Sequence, residues 1–488
     1  MTKQMYLCFI INNFKMLSYL KRFLFNPINP SIICLYRIIF GCFMLYQVIV
    51  YYKMDYTYQF MAGPQVLFPY NGLEFIIPVQ IEILKVIHFI LLISTIFIIV
   101  GYRYRLASLV FFLGFTYFYL VDVTLYNNHF YLISLISLAL IFINADVKYS
   151  IKSKKFISQN IRIPAWNQHI LIFLISLPYF FGAIAKLSDN WLKTDLPLLI
   201  FENVKDTILN GLIPDDLFLI LIKYGAIIYD FSIVFLLLNK KTRKIGVILL
   251  LIFNLTNGNI LFDDIGLFPL LMIFSTILFF DSENINNYII KLLPSKNQYK
   301  NLNKLEIKLL KRKEKNNLLE QKNHNNLNRI SWNNNEKITT LFLTLFFLFH
   351  VLFPLRHFLL TNNPEWTGLG SHFSWRMKMQ SKEITNFNIY AINRNTNYRV
   401  NIDVRSYLSK NQIKHIADDP RNLIYLAKYF YPLIEKNYRF RDPKVIIELE
   451  VKFNGFKSQN YISPSADLVR LDTNPFSNKN WILPLKKI

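Results

Sequence analysis

The sequence predicts an α-helical polytopic membrane protein of eight or nine spans, followed by a C-terminal mixed α/β domain outside the cytoplasm. Three observations predict it. Apolar runs recur at 32–52, 83–101, 105–123, 130–145, 168–187, 217–238, 245–257, 265–280 and 338–355, and most approach the roughly 20 residues that a bilayer-crossing helix needs. Segments such as Val110–Phe115 and Ile245–Phe253 carry no polar stripe of the kind a surface helix of a soluble protein shows. The basic residues fall on alternate loops: Arg103 and Arg105, Lys148 to Arg162, and Lys240 to Lys244 on one side, against Lys53, Lys193 and Lys205 on the other.

Each element follows in order. Residues 1–25 mix Lys15, Lys21 and Arg22 with Leu17, Leu20 and Phe23–Phe25, the pattern of an interfacial amphipathic helix rather than a cleaved signal. Residues 26–285 form the multi-span domain, in which 130–145 and 245–257 are short enough to be tilted or re-entrant. Residues 286–336, rich in Asn and Lys, read as a basic cytoplasmic linker, and 337–355 as the last span. In the outer domain, 356–488, Tyr398–Val404 alternates like a strand and Asn411–Lys436 reads as an amphipathic helix broken by Pro420. Asn454–Gly455 suits the positive φ angles of a hairpin turn between Ile446–Phe453 and Phe456–Ile462.

The net charge of +24 is then an orientation signal, with the N-terminus inside and the C-terminal domain outside. Nucleic acid is not implied as a partner; membrane lipid is. Cys34 and Cys42 lie in the first span and Cys8 before it, so no disulfide framework is implied.

The chain has no Gly-rich phosphate loop, no HExxH and no Cys/His spacing for zinc. No metal is expected, and an enzyme of this kind must borrow reactivity from a lipid-soluble cofactor. Lys186 stands near the outer end of an apolar helix with Gly182 one turn earlier on the same face, which leaves room beside the amine. An ionisable group inside a span is a functional candidate, although a lysine near a helix end can also snorkel to the headgroups. Asn127, Asn128 and His129 occur together where the chain re-enters the membrane on the same side. Asn254 and Asn257 interrupt an apolar stretch, and Asp230 lies inside the sixth span, where a basic or amide partner is expected. Arg37 in the first span, and His357 and Trp375 just past the last one, complete the candidates for cofactor or substrate contact.

These segments resemble, in order, the signature segments of vitamin K-dependent gamma-carboxylases. The series comprises Arg37–Gly41 (R-x-x-x-G), the YNNHFYL turn at Tyr126–Leu132, Ile163–Asn167, the helix end at Pro178–Trp191, Ser374–Trp375, Asp467–Val469 and Trp481–Leu485. The resemblance covers nearly all of 26–488 outside the linker. It points to a compact, bacterial-type homologue with an HTTM-type membrane domain.

The resemblance implies a reaction that couples reduced vitamin K, or a related naphthohydroquinone, to dioxygen and carbon dioxide. The hydroquinone becomes its epoxide, and an alkoxide formed on the way removes a glutamate γ-proton too weakly acidic for any protein base. Lys186 aligns with the family's base; to serve, the amine must be uncharged, which burial favours. His129 aligns with the histidine beside the reacting groups, a donor to developing negative charge. The implied partners are a quinone and a glutamate-containing peptide or protein. Two departures bear on this: Asn254 stands where the family usually has His, and Asn190 replaces the acid before Trp191. Two other readings stay open, a quinol epoxidase or related base-initiated oxidase without carboxylation, and a non-catalytic quinone-binding or transport protein. The Asn/Lys/Ile bias favours a bacterial inner membrane with the outer domain in the periplasm.

Overall fold

A computed structural model describes residues 16–151, 153, 161–205, 213–258, 266–292, 332–361, 363–474, 476–477 and 479–486. Most of the basic linker lies outside the described residues. After a helix over residues 16–25 (α1), the membrane domain is a series of antiparallel helices. These are α2 (Ser31–Lys53), α3 (Ile81–Val100), α4 (Tyr104–Leu120), α5 (Asn128–Phe142) and α6 (Trp166–Lys186). Two short helices follow, α7 (Asp189–Leu192) and α8 (Leu196–Glu202). Then α9 (Asp215–Ile220) continues through a wide turn, Leu221–Gly225, into α10 (Ala226–Leu238). Next come α11 (Arg243–Thr256), α12 (Phe268–Ser275), α13 (Ser282–Leu292) and α14 (Asn334–Leu352).

Five of these are long and apolar enough to cross a membrane: α2, α3, α6, α9–α10 and α14 with its extension to Leu359. The bent pair of α12 and α13, turned through 100°, makes six if it is a single span. The larger number expected from the apolar runs includes α4, α5 and α11, which have 17, 15 and 14 residues. At about 1.5 Å per residue these reach roughly 21–26 Å, short of a hydrocarbon core about 30 Å thick. Among the five, α6 is the most buried and α14 the least. The candidate lysine is therefore carried on the central helix.

The helix ends follow from local chemistry. Gly101, at φ +70°, terminates α3, with the Gly101 and Tyr102 N–H groups closing onto its last carbonyls. Asn333 and Glu336 form a reciprocal capping box at the start of α14.

The outer domain holds a four-stranded antiparallel sheet in the order β4-β3-β5-β6. A two-residue pair, β1 (Pro27–Ile28) with β2 (Ile163–Pro164), lies apart from it beneath the membrane helices. The strands are β3 (Lys382–Ile392), β4 (Arg399–Ile402), β5 (Lys444–Phe453) and β6 (Gln459–Asn460). In β5, Val445, Ile447, Leu449, Val451 and Phe453 are all fully buried, the period-two pattern of a strand with one face on the core. Asn454 and Gly455 turn out of it at φ +46° and +90°. Pro420 separates α16 (Lys410–His415), which follows the short α15 (Pro364–Thr367), from α17 (Arg421–Tyr438). Leu423, Leu426, Phe430 and Ile434 of α17 enter the same core as the sheet.

That core also takes in Val66, Phe68, Tyr70 and Val123 from loops between the membrane helices. Gln412 donates to the Asp122 carboxylate and the Val66 carbonyl, both at 2.7 Å. The C-terminal domain is thus seated on the end of the bundle where α2 and α4 finish and α3 and α5 begin.

Candidate active site at the outer end of the bundle

Lys186 is the last residue of α6, and its amine lies 2.6 Å from the Asp230 carboxylate of α10. The two side chains are only 12% and 6% exposed. Gly182 makes the pair possible: a Cβ there would stand 3.1 Å from Asp230 Oδ2 and 3.7 Å from Lys186 Nζ. The amine also faces the Trp191 ring, 5.6 Å from its centroid. The basic partner expected for Asp230 is therefore the candidate lysine itself. The fold provides an amine and a carboxylate in proton-exchange contact.

Tyr179 and Tyr229 lie on the same two helices as the pair, and their buried hydroxyls lie next to each other, near Asp230 and, for Tyr179, beside Asn254. Asn254, buried at the outer end of α11, lies beside the Tyr179 hydroxyl and donates its own amide to Leu250 O at 2.9 Å. Phe253 stacks on Tyr229 at 3.9 Å. Asn257 caps α11 through its backbone N–H. The fold thus gathers Lys186, Asp230, Tyr179, Tyr229 and Asn254 into one polar island in an apolar wall.

A second group forms at the start of α5, whose N-terminus lies at the same outer end. Asn127 caps the helix, accepting the His129 N–H at 3.0 Å, and the His129 ring stacks on Phe268 at 4.1 Å and 11°. Asn128 accepts from the Tyr126 hydroxyl, which itself accepts the Phe373 N–H at 2.7 Å. This ties the Ser374–Trp375 loop to the start of α5. Trp375 is buried against Tyr131 at 4.9 Å, with φ +57° and an indole N–H lacking a partner among the described residues. Phe373 is also left-handed, at φ +58°. Such geometry in bulky residues is held only where the surroundings dictate it, and it concentrates at ligand sites.

His357 belongs to a third group at the junction with the outer domain. Its Nδ1 faces Pro354 O at 2.8 Å and its Nε2 faces Arg376. Arg376 pairs with Glu365, and both are almost fully buried. Asn190 donates one amide nitrogen to both Asn363 Oδ1 and Glu365 Oε2, at 2.8 and 2.7 Å. An acid at this position would set a second carboxylate against Glu365, which accounts for the amide in this chain.

Arg37 is remote from all three groups. It is fully buried at the inner end, donating to the carbonyls of Ile98, Ile99 and Tyr149.

Sequence reasoning did not find Tyr179, Tyr229, Glu365 or Arg376. Asp230 was visible as a charge within an apolar span, but its partner was not.

A membrane bundle with a buried amine–carboxylate pair at its outer end, capped by an α/β domain, defines the class: residues 25–283 match the HTTM domain family. Residues 335–488 match the lumenal domain of vitamin K-dependent gamma-carboxylases. The chain belongs to the vitamin K-dependent gamma-carboxylase family. No solved structure matches it.

Proposed function

We propose that this protein is a membrane enzyme that oxidises a reduced naphthoquinone with dioxygen and couples this to carboxylation of glutamate in a peptide held by the outer domain. The observation that carries the proposal is the buried Lys186–Asp230 pair, with the buried Tyr179 and Tyr229 hydroxyls beside it. The surroundings fit a quinol. Tyr229, Phe253, Phe268 and Trp191 offer aromatic faces, while Tyr179 and Tyr229 offer hydroxyls for its oxygens. When bound, the quinol supplies the reducing equivalents and, after oxygenation, a base stronger than any side chain.

The residues of the chain then have definable tasks. The Lys186–Asp230 pair has the same net charge whether the shared proton sits on nitrogen or oxygen. It therefore presents a proton acceptor without releasing a lysine proton to water. Taking one proton from a quinol hydroxyl leaves the pair singly positive, next to the negative charge left behind. In a site of low dielectric that neighbouring counter-charge is strongly stabilising. His129, in the first turn of α5, combines a ring N–H with the positive end of a helix dipole, both favourable to an anion. Asn128 and the Trp375 loop, joined through Tyr126, hold the outer wall. The C-terminal domain, tied to this helix end by the Asn190–Glu365 hydrogen bond, would shield the reacting groups from water.

The test uses purified protein with vitamin K hydroquinone in air, labelled carbon dioxide and a glutamate peptide. Epoxide together with label in the peptide is the expected result. Epoxide alone would restrict the activity to quinol oxidation. Absence of both products would overturn the proposal.

A further inference from the structure

At the opposite, inner end of the bundle lies a cavity of about 500 Å³ unrelated to the candidate active site. It opens where α2, α6 and α11 begin and where the chain bends between α12 and α13. Its charged lining consists of Arg162, Lys240 and Arg243 with Asp281 and Glu283, three cations against two anions. Its apolar walls include Ile28, Phe279 and Phe280.

Two observations point to a ligand. Ser282, the first residue of α13, lines the cavity, is only 7% exposed, and its hydroxyl has no partner among the described residues. Arg162 Nε is likewise buried and without a partner among them. Both residues line the one recess, with Ser282 at the positive end of an 11-residue helix, an arrangement that suits an anionic oxygen. The carboxylates beside them already have partners: Glu283 accepts from Asn29 and Arg162, both at 3.1 Å, and Asp281 accepts from the Glu283 N–H at 3.0 Å and from Lys240 at 3.3 Å, the two ion pairs being partly exposed. Such pairs contribute little on their own and can exchange partners.

We infer that this cavity binds the headgroup of a zwitterionic phospholipid, with the phosphate at Ser282 and Arg162 and a primary ammonium at Asp281 and Glu283. The near balance of charge favours a group carrying both signs over a purely anionic one. The position favours a lipid over a soluble molecule. Arg243, over the Phe280 ring at 5.8 Å, marks the polar boundary, and above it Ile245, Ile248 and Ile252 of α11 stand exposed for acyl chains. The same phosphate–ammonium chemistry is carried by membrane phosphatidylethanolamine and by soluble glycerophosphoethanolamine, and the test separates them.

The full-length protein, delipidated in detergent, is titrated by native mass spectrometry with phosphatidylethanolamine, phosphatidylglycerol and glycerophosphoethanolamine. Phosphatidylethanolamine is expected to bind about ten-fold tighter than phosphatidylglycerol. Ser282→Ala, which removes a single hydroxyl, is expected to weaken its binding several-fold while the lipid-free melting temperature stays unchanged. Arg162→Gln is expected to act in the same direction. Equal binding of the two lipids, or a Ser282→Ala variant that binds as well as the parent, overturns the inference. Comparable binding of glycerophosphoethanolamine also overturns it, assigning the cavity to a soluble ligand.

Discussion

Arg37 and Lys186 are both buried cations of one helical bundle, placed at opposite ends and held in opposite ways. Arg37 is gripped by three backbone carbonyls at 2.5–2.8 Å, from the end of α3 and from Tyr149. Its neighbourhood is closed: a Cβ on Gly101 would come within 2.8 Å of the guanidinium. A guanidinium cannot give up its proton under ordinary conditions, and carbonyls cannot accept one. This cation only ties helix ends together. Lys186 donates instead to a carboxylate, at 2.6 Å, with tyrosine hydroxyls nearby. A lysine can lose its proton and a carboxylate can take one. Charge alone does not tell the two cations apart; the proton-accepting capacity of the partner does, and it is the ground on which the proposal rests at Lys186.

Four experiments test that contrast. Lys186→Ala should lower quinol oxidation by about 10²–10⁴-fold, the usual worth of a positioned base. It should leave a folded protein, because the orphaned Asp230 can take up a proton. Normal turnover by this variant removes the pair from the chemistry. Asp230→Asn should lower turnover by about 10–100-fold and change the shape of the pH–rate profile, with partial recovery in Asp230→Glu. A faster Asp230→Asn enzyme would mean that the carboxylate merely restrains a lysine acting alone.

Arg37→Lys should do the reverse. Losing the fork leaves buried carbonyls without donors, at about 1–3 kcal/mol each, so the melting temperature should fall while turnover per folded molecule is kept. A specific loss of quinol affinity in this variant would instead assign Arg37 to the site.

The smallest effect concerns a third ionisable group, His372 of the outer domain. Burial pushes its pKa down to about 4, with Asp419 and Asp418 opposing the shift. Between pH 6.5 and about 4 the unfolded chain binds a proton that the folded one refuses, so stability should fall as pH drops through that window. His372→Gln should remove up to about 2 kcal/mol of this acid sensitivity. Asp418 and Asp419 act only at lower pH. Burial would raise both, but the His415 hydrogen bond on one and the Arg421 ion pair on the other hold them below the usual carboxylate range. Unchanged acid unfolding in His372→Gln would show that the histidine is charged in the folded state.

The elements read from the sequence are those written in local chemistry. Pro420 breaks its helix because it cannot continue one, Asn454–Gly455 turns because both residues accept positive φ, and Gly182 leaves room because it has no side chain. What was missed depends on partners distant in sequence. β3 pairs with β5 about sixty residues away, and its run of Asn and Thr carries little strand signal of its own. Asp230 meets a lysine 44 residues earlier. Tyr179 and Tyr229 are two of 29 tyrosines, and nothing local marks the two whose hydroxyls lie near the carboxylate.

The claim on which the rest depends is that Lys186 and Asp230 share and accept protons as a unit. Infrared difference spectroscopy of the purified protein over an acid titration, without quinol, reads this directly. Protonation of the pair should bring up a carboxylic C=O band that is missing in Asp230→Asn and shifted in Lys186→Met. A spectrum in which no such band appears, while the wild-type protein turns over normally, would contradict it.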